Sequence, residues 1–392
     1  MQTDNRTVVF DTSELRVWLL DHVCPYWSER VVDHRGGFFE GVDVEGRVAP
    51  AAVRHILVQA RLTYVFSHAA VLGAAPAMRS AAEHGFAHLR QWSSSHRNGW
   101  ARAQSIDGTV TDAARDSYDH AFIIFASAWH FRATGNQAAI AMADDAHAFM
   151  LAHLADTEHG GFFEEHPRVD RLPRRQNPHM HLLEATLAMH AATGAQKWLD
   201  ASQRLVHLFA SQMFDVPSGS LGEFFERDWS PAGGAEGDLR EPGHQFEWVW
   251  LLNEYARASG EKDVLLLADR LFEFGSTHGR ASDGPLAGIV CDGVDRDGRL
   301  TAPTSLFWPQ TEYIKACVAR NEQRLPGMYQ AAAGHVERLR ALYFRPDGAN
   351  WCNQISSTGE NLSPITPARV LYHLFLAIAE VLRMAESGRT CA

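Results

Sequence analysis

The sequence predicts an all-α fold, an (α/α)6 barrel built from six helical hairpins with short β-hairpins in the long loops. The first observation behind this prediction is a glycine-aromatic turn that returns at intervals of 60 to 66 residues. It reads GGFFE at residues 36–40 and again at 160–164, GEFFE at 222–226, and weakly around Gly99, Gly288 and Gly348. Because these periods span almost the whole chain and no Pro- or Ser-rich linker divides them, we expect one domain over residues 1–392.

The second observation is the helical spacing of apolar residues between these turns. Met78, Ala82, Phe86 and Leu89, for example, form one stripe with a period of about 3.6 residues. Helix-breaking residues divide the pattern into twelve segments. The predicted helices cover residues 12–30, 50–72, 76–94, 113–134, 136–155, 179–193, 196–213, 242–259, 261–277, 305–321, 327–343 and 366–386.

The connections between the predicted helices are of two kinds. Short joints, such as Gly135-Asn136 and Gly194-Ala195, predict antiparallel neighbours and hence six pairs. Long connections contain the glycine-aromatic turns, and Glu-Gly or Asp-Gly pairs at residues 45–46, 107–108 and 297–298 predict β-hairpins there. Six pairs can form an open α-solenoid scaffold or a closed double ring. The turns resemble one another more than the helices do, and this favours the closed ring.

The composition argues against several functional classes. A net charge of −11 disfavours a nucleic-acid partner, which needs a basic face. No apolar run is long enough for a membrane span, and the first residues do not read as a signal peptide. The five cysteines are scattered without a CxxC, so we expect a reduced, cytoplasmic protein. GxGxxG, GxxxxGK[ST] and GxSxG are absent from the sequence, and we expect no cofactor.

One polar or aromatic side chain recurs in each helix that follows a long loop, at intervals of 57 to 65 residues. The six residues are Arg61, Tyr118, His181, His244, Trp308 and His373. In a closed double ring, equivalent positions of the inner helices face one central cavity, so we expect these six to converge at its mouth. A single histidine on an apolar helix is more often a satisfied core residue. Six such residues at equivalent positions of the repeat favour a shared pocket.

Two of these histidines are followed three residues later by a glutamate, as His181 by Glu184 and His244 by Glu247. That spacing places both partners on one helix face, where a carboxylate can orient an imidazole and raise its basicity. His179 lies two residues from His181, so the two point apart in a helix. Metal sites in helical bundles use Glu before His together with bridging carboxylates, so we expect no metal here.

These motifs resemble the N-acylglucosamine 2-epimerase superfamily over nearly the full length of the chain. The specific segments are NPHMHLLEA at 177–185 and GHQFEWVWLL at 243–252, supported by WPQTE at 308–312 and by Tyr372-His373. The superfamily has (α/α)6 barrels and includes N-acylglucosamine and cellobiose 2-epimerases, mannose isomerases and sulfoquinovose isomerases. The resemblance implies that His244 and His373 are the acid/base pair. It further implies that the sugar is contacted by Arg61, Tyr118, Asn177, His181, Glu247, Trp308 and Glu312.

One departure from the family pattern bears on the substrate. Cellobiose epimerases carry a tryptophan five residues before the last histidine, whereas Ala368 occupies that position here. A disaccharide is therefore disfavoured, and a mannose isomerase is the reading we prefer. A sulfoquinovose isomerase would need a cationic contact for the sulfonate, and the sequence does not identify one.

The resulting hypothesis is a metal-independent isomerase that interconverts D-mannose and D-fructose through a cis-enediol. His244, held by Glu247, opens the sugar ring, His373 moves the C2 proton, and Arg61 holds the developing oxygen charge. A 2-epimerase remains an alternative, as does a glycoside hydrolase that uses Glu247 and Glu312 as paired carboxylates. A non-catalytic sugar-binding scaffold is the third alternative. We expect a monosaccharide as the only ligand, and a monomer or a homodimer.

Overall fold

Six helices stand side by side in an inner ring, in a computed structural model that describes residues 11–92, 98–169 and 173–386. Each helix of this ring packs against the next, and the last packs against the first. The inner helices are α3 (Ile56–Val71), α5 (Ser117–Thr134), α7 (Asn177–Thr193), α10 (Pro242–Ser259), α12 (Phe307–Glu322) and α14 (Leu371–Glu386). Because α14 contacts α3, the ring is closed, and the predicted barrel is confirmed over the open solenoid.

An outer ring of helices backs the inner one. Five outer helices directly follow their inner partners: α4 (Pro76–Trp92), α6 (Gln137–His153), α8 (Gln196–Leu208), α11 (Leu265–His278) and α13 (Met328–Tyr343). The sixth pair joins the two ends of the chain, because α14 packs against α1 (Thr12–Val17). A π-helical turn (Trp18–Val23) continues α1 into α2 (Cys24–Val31), and another (Phe209–Met213) extends α8. A short helix, α9 (Ala235–Asp238), lies in the long loop before α10.

All twelve predicted helices are present, and the differences lie at their ends. Residues 53–55, 115–116, 305–306 and 366–367 were predicted to lie at the start of helices but belong to strands. The cause is tertiary, because these residues pair with strands of other loops. The part of the predicted helix 76–94 beyond Trp92 lies outside the described residues, as does Cys391. The prediction of a single domain over residues 1–392 stays a prediction.

Short strands in the long loops form small antiparallel ladders at one end of the barrel. The strands are β1 (Gly41–Asp43), β2 (Val53–His55), β3 (Ala103–Ser105), β4 (Val110–Asp112), β5 (Arg115–Asp116), β6 (Glu165–His166), β7 (Arg174–Arg175), β8 (Phe214–Asp215), β9 (Ser220–Leu221), β10 (Phe224–Phe225), β11 (Gly293–Val294), β12 (Leu300–Ala302), β13 (Thr304–Leu306), β14 (Gln354–Ser356) and β15 (Ile365–Pro367). The hairpins predicted at residues 107–108 and 297–298 are confirmed as β3–β4 and β11–β12. The turn at residues 45–46 closes a bridge between Val42 and Val48.

Most of the other ladders join one long loop to the next, which the sequence did not predict. The pairs β2–β3, β5–β6, β7–β10 and β13–β14 each connect successive loops, and β1–β15 connects the first loop to the last. The fourth and fifth loops meet at a bridge between Arg240 and Val294. The six loops therefore form a continuous collar around one end of the barrel.

In five of the six long loops, a backbone group at or next to the glycine-aromatic turn is fastened to the barrel by a side chain of the next inner helix. Gln59, on the first turn of α3, accepts a hydrogen bond from the Phe38 N–H (2.7 Å) and donates one to the Phe38 carbonyl (3.0 Å). Gly37 has a φ of +70°, and a Cβ there would lie 2.4 Å from the Gln59 side chain. We call this pair of hydrogen bonds from Gln59 to the Phe38 backbone the clamp. The turn needs glycine both for its backbone conformation and because the clamping side chain approaches so closely.

The same clamp recurs around the ring with either glutamine or histidine. Gln245 binds the backbone N–H and carbonyl of Leu221, and Gln310 those of Val290. In the second repeat, His120 Nε2 accepts from the Trp100 N–H (3.2 Å). In the third, His179 Nε2 accepts from the Phe162 N–H (2.9 Å).

The clamp histidines are neutral. In both, Nδ1 bonds to the backbone carbonyl four residues earlier and Nε2 accepts from an N–H, so one nitrogen donates and the other accepts. Burial lowers the pKa of His120 to about 4 and that of His179 to about 3. His179 is therefore a structural residue, as the two-residue spacing from His181 indicated, and His120 is buried in the same role.

Buried apolar side chains fill the space around the inner helices as one large cluster. The four cysteines of the described residues, Cys24, Cys291, Cys317 and Cys352, are buried and unpaired with one another. No helix in the described ranges combines the length and the apolar character needed to cross a bilayer.

Replacement of the clamp should destabilise the fold. Gln59→Ala leaves a buried N–H and carbonyl of Phe38 unpaired, and we expect a loss of about 2–4 kcal/mol in the free energy of unfolding, measured by urea denaturation. Gln59→His, which copies the second and third repeats, should lose less. The exposed Gln91→Ala is the control and should change stability by less than about 0.5 kcal/mol. Equal losses in Gln59→Ala and Gln91→Ala would show that the clamp does not stabilise the fold.

Candidate active site

A cavity of about 340 Å³ opens inside the collar, at the end of the barrel where the inner helices begin. Eight of the nine predicted site residues line it: Arg61, Tyr118, Asn177, His181, His244, Glu247, Trp308 and His373. The ninth, Glu312, does not line the cavity and lies behind His373. Further lining residues, not predicted from the sequence, include Arg175, Glu241, Asn353 and Arg369.

The two predicted catalytic histidines share one wall of this cavity, on either side of an indole. The ring centroid of Trp308 lies 4.9 Å from that of His244 and 5.5 Å from that of His373. Gly243 makes this packing possible, because a Cβ there would come within 2.6 Å of the indole. The two imidazoles therefore face the same small volume.

His244 does not pair with Glu247, which corrects the sequence-based expectation. Its Nδ1 bonds to Glu223 Oε2 (2.9 Å), and Glu241 Oε2 lies 3.4 Å away. Glu223 in turn accepts from the Gln176 amide (2.9 Å), so it is fixed in place. Burial lowers the pKa of His244, but the negative charges of Glu223 and Glu241 outweigh it and raise the value to about 10. His244 is therefore an imidazolium at neutral pH.

His373 has a carboxylate partner as well, but its charge state is the opposite. Its Nδ1 lies 2.8 Å from Glu312 Oε1. Burial holds the pKa of His373 well below its usual range, and the positive charges of Arg61 and Lys315 lower it further. His373 is therefore neutral at pH 7. One cavity thus holds a protonated and an unprotonated imidazole, the arrangement expected of an acid and a base.

Lys315 is one of the cations that, after burial, help to keep His373 neutral. Its ammonium is fully buried, 2.6 Å from Glu312 Oε2 and 3.7 Å from Glu247 Oε1, and lies 4.3 Å from the centroid of the Trp250 ring. Burial lowers the pKa of Lys315, yet the neighbouring carboxylates more than offset this and raise it above its usual value. Burial and the nearby carboxylate of Glu247 raise the pKa of Glu312 well above its usual range, and Lys315 opposes that shift.

His181 also lies among the buried glutamates of the site. Its Nδ1 bonds to Glu184 Oε2 (3.1 Å), which confirms the spacing argument for that pair, and lies 3.8 Å from Glu247 Oε1. The Tyr372 hydroxyl donates to Glu184 at 2.5–2.6 Å. Burial lowers the pKa of His181 to about 3, so this imidazole is neutral.

Several buried polar atoms at the cavity have no hydrogen-bond partner among the described residues. They are both carboxylate oxygens of Glu247, Oδ1 of Asn177, Oδ1 of Asn353 and Nε of Arg61. The Arg61 Nη2 donates to the Tyr118 hydroxyl (2.6 Å), which fixes both side chains against the wall. Because an unpaired buried polar group is costly, this lining suits a ligand with many hydroxyl groups, each of which can donate and accept.

Three groups of side chains in the described residues are close enough to share a cation. Two of them include Glu247, and the Lys315 ammonium already supplies a positive charge beside that carboxylate. The third joins Glu223 and Glu241 to His244, whose Nδ1 bonds to Glu223. Each group therefore already has a cationic nitrogen, that of Lys315 or that of His244, near at least one of its carboxylates.

A second cavity, of about 490 Å³, opens at the opposite end of the barrel. Its lining is more apolar, with Trp129, Leu187, Trp250 and Leu376 among its members. None of the residues that recur in step with the repeat lines it. The convergence of those residues identifies the collar end as the candidate site.

Sequence reasoning missed Glu223 and Lys315. A signal existed for both: Glu223 is the second residue of the GEFFE copy of the repeated turn, and Lys315 follows Glu312 at helical spacing. Neither position in the sequence shows which side chains Glu223 and Lys315 contact, because those contacts depend on how the loops and the inner helices pack together.

Comparisons with known proteins agree with this architecture. The profile of the family described as N-acylglucosamine 2-epimerase (GlcNAc 2-epimerase) matches residues 37–377. A mannose-6-phosphate isomerase of Rhizobium meliloti (strain 1021) is 32% identical over 377 residues, 94% of this chain and 96% of the relative. A D-mannose isomerase of Thermobifida fusca is 28% identical over 306 residues, 74% of each protein.

Solved structures show the same fold. A crystal structure of D-mannose isomerase matches with a TM-score of 0.87 at 22% identity, over 97% of this chain and all of that one. The cellobiose 2-epimerase from Spirochaeta thermophila DSM 6192 matches with a TM-score of 0.86 at 23% identity, over 99% of both chains.

The charge of His244 should depend on Glu223. Glu223→Gln removes the carboxylate bonded to Nδ1, so the pKa of His244 should fall from about 10 towards its ordinary value. The measurement is an NMR titration of 15N-labelled histidine. Glu226→Gln removes the same charge from an exposed site on the same loop and should leave the pKa unchanged. A His244 pKa that is the same in Glu223→Gln as in the unmodified protein would refute this assignment.

Proposed function

The chain belongs to the N-acylglucosamine 2-epimerase family, and from this membership and the cavity geometry we propose that it is an aldose–ketose isomerase acting on D-mannose and D-fructose. The observation that carries the proposal is the pair of unlike imidazoles, His244 charged and His373 neutral, on either side of Trp308. The unpartnered polar atoms of the lining support a polyhydroxylated ligand. The relatives named as mannose and mannose-6-phosphate isomerases support a hexose.

The proposed reaction begins with opening of the sugar ring. His244 gives its proton to the ring oxygen and takes the proton of the anomeric hydroxyl, so that the bond between C1 and the ring oxygen breaks, the open-chain aldehyde forms and His244 is charged again. Neutral His373 then removes the proton from C2, and the C2–H electron pair forms the C1=C2 bond of a cis-enediol. His244 protonates O1 in this step and later accepts the proton of O2. Return of the proton from His373 to C1 completes the ketose.

The other cavity residues have supporting roles in this proposal. Arg61 is a permanent cation, suited to hold the oxygen charge that develops at the enediol. Tyr118, Asn177, His181 and Glu247 contact sugar hydroxyls. Glu312 acts on the sugar only through His373, whose Nδ1 it fixes so that Nε2 is the nitrogen left to carry the proton.

The proposed reaction is independent of metal. A metal would supply positive charge at the reacting oxygens, and here Arg61 and protonated His244 supply it. The ammonium of Lys315 already stands between the carboxylates of Glu247 and Glu312. The Lys315 ammonium and the two glutamates are thus engaged with one another, and the ammonium would have to give way before a metal could bind these side chains.

The glycoside hydrolase alternative has less support. Carboxylates of Glu247 and Glu312 approach within 4.8 Å of one another and share Lys315. A hydrolase pair must flank a sugar bond, with separations of about 5–5.5 Å or about 6.5–9.5 Å. Glu312 does not line the cavity, so no sugar fits between the two.

A 2-epimerase is the second candidate, and one observation favours it. His244 and His373 both contact Trp308, so a planar enediol between them can receive a proton on C2 from either imidazole. Return from His244 would invert C2 and give the epimer. The structural similarity to a cellobiose 2-epimerase is consistent with a barrel that serves either outcome.

Replacement of either histidine should slow the reaction by about 10²- to 10⁴-fold. The unmodified protein, incubated with mannose in D2O, should form fructose that carries deuterium, and EDTA should not prevent it. His373→Gln should abolish exchange at carbon, whereas His244→Gln should slow ring opening more than exchange from open-chain substrate. The exposed His207→Gln is the control. Conversion lost on chelation, or full exchange in His373→Gln, would contradict the proposal.

A further inference from the structure

Tyr372 lies behind the cavity wall, where it contacts three of the predicted site residues directly or through one carboxylate. It is fully buried in the first turn of α14, directly before His373, and does not line the cavity. Its ring centroid lies 4.6 Å from that of His373 and 4.8 Å from the guanidinium carbon of Arg61. Its hydroxyl donates to Glu184, the carboxylate bonded to His181. One buried phenol therefore joins side chains of α3, α7 and α14.

The phenol of Tyr372 and the imidazole of His181 bind the same carboxylate. The Tyr372 hydroxyl lies 2.6 Å from Oε1 and 2.5 Å from Oε2 of Glu184, and Oε2 lies 3.1 Å from His181 Nδ1. An ionised carboxylate only accepts hydrogen bonds, so both neighbours must donate to it. Neutral His181 has one ring proton, and this arrangement places it on Nδ1. Nε2 is then the nitrogen that can accept a hydrogen bond.

Glu184 needs such a donor because it is buried among other ionisable groups. Burial raises the pKa of Glu184, and the charge of Lys315, the hydrogen bond from Tyr372 and the charge of Arg61 oppose that shift. Glu184 also borders the cavity at the opposite end of the barrel, together with three arginines, three further glutamates and two histidines. Inside the barrel the titratable groups around it are Arg61 and Tyr64 on α3, His181 on α7, Glu247 on α10, Glu312 and Lys315 on α12 and Tyr372 on α14. Loss of the phenol hydroxyl therefore favours a protonated Glu184, which donates to His181 Nδ1 and moves the ring proton to Nε2.

The ring of Tyr372 is one of three aromatic rings that border Arg61. The guanidinium carbon lies 4.2 Å from the ring centroid of Phe122, 4.8 Å from that of Tyr372 and 5.5 Å from that of Tyr118. A guanidinium over an aromatic face is attracted by the ring electrons, more strongly where both groups are desolvated. The Tyr372 ring thus supports the cation that, in the proposed reaction, holds the charge of the enediol oxygens.

We propose that Tyr372 is a positioning residue for the reaction: its hydroxyl, through Glu184, keeps the proton of His181 on Nδ1, and its ring supports the guanidinium of Arg61. The proposal rests on the proposed isomerase function and adds a residue that does not touch the sugar. The hydroxyl determines whether His181 accepts from a sugar hydroxyl or donates to it, and so affects binding. The ring affects the oxygen charge that develops during proton transfer, and so affects the rate of the bound sugar.

The role of the hydroxyl is tested by the position of the proton on His181, which is measured without substrate. In protein with 15N-labelled histidine, the ring shifts of neutral His181 show which nitrogen carries the proton, and His181→Gln assigns the signal. The unmodified protein should carry it on Nδ1 at pH 7.5. Tyr372→Phe should move part of the population to Nε2. In Glu184→Gln the new amide can donate to Nδ1, so the proton should move to Nε2 completely.

Kinetic measurements separate the hydroxyl from the ring. Tyr372→Phe keeps the ring, so KM for mannose should rise by about 3- to 10-fold while kcat changes by less than about twofold. Tyr372→Leu removes both and should also lower kcat by about 3- to 30-fold. Tyr64→Phe is the matched control, since it removes another buried phenol hydroxyl, 2.9 Å from His68 Nδ1, on a ring 5.5 Å from that of Tyr372. It should leave KM, kcat and the proton of His181 unchanged.

The outcomes separate this inference from the function on which it rests. A ring proton on Nε2 of His181 in the unmodified protein refutes the positioning role, as does one that stays entirely on Nδ1 in Tyr372→Phe. An equal rise of KM in Tyr372→Phe and Tyr64→Phe refutes it as well, and in each of these cases the isomerase stands. If the unmodified protein shows neither conversion of mannose nor deuterium uptake, the isomerase itself is refuted, and the NMR measurement still decides where the proton of His181 lies.

Discussion

The opposite charges that His244 and His373 take in one buried space are the feature on which the chemistry of the cavity depends. Each imidazole bonds through Nδ1 to a glutamate. At His244 the negative charges of Glu223 and Glu241 outweigh the cost of burial and keep the ring charged. At His373 burial disfavours the charged ring, and the positive charges of Arg61 and Lys315 act in the same direction. Lys315, 2.6 Å from Glu312 Oε2, thus contributes to a neutral His373 from behind the cavity wall.

The collar of paired loops makes that difference possible. Glu223 reaches His244 from a loop, and Glu312 reaches His373 from the inner helix α12, so the relative positions of loops and helices set both charge states. The clamps at residues 59, 120, 179, 245 and 310 fasten five of the six loops to the first turn of an inner helix. The repeated turns are therefore conserved within the chain because they hold the loops, while the helices between them are free to vary in packing.

The sequence predicted the twelve helices, the closed ring and six of the cavity residues from periodicity, whereas Glu247 came from helical spacing and Asn177 from the family resemblance. A residue that recurs in step with the repeat occupies an equivalent position in a closed ring, whichever side chains surround it. The partner of His244 could not be predicted in this way. Helical spacing suggested Glu247, but that carboxylate turns towards His181 and Lys315, and the partner comes from a loop whose path periodicity does not determine. The loop-to-loop ladders were missed for the same reason, since pairs of two or three residues leave no pattern in sequence.

The most direct test of this account is to measure the protonation states of His244 and His373 in the unmodified protein at pH 7.5. Histidine labelled with 15N gives distinct ring shifts for the charged and neutral forms, and His244→Gln and His373→Gln assign the signals. The account predicts that His244 carries protons on both nitrogens and that His373 carries only one. A protonated His373 beside a neutral His244, or two imidazoles in the same state, would contradict it.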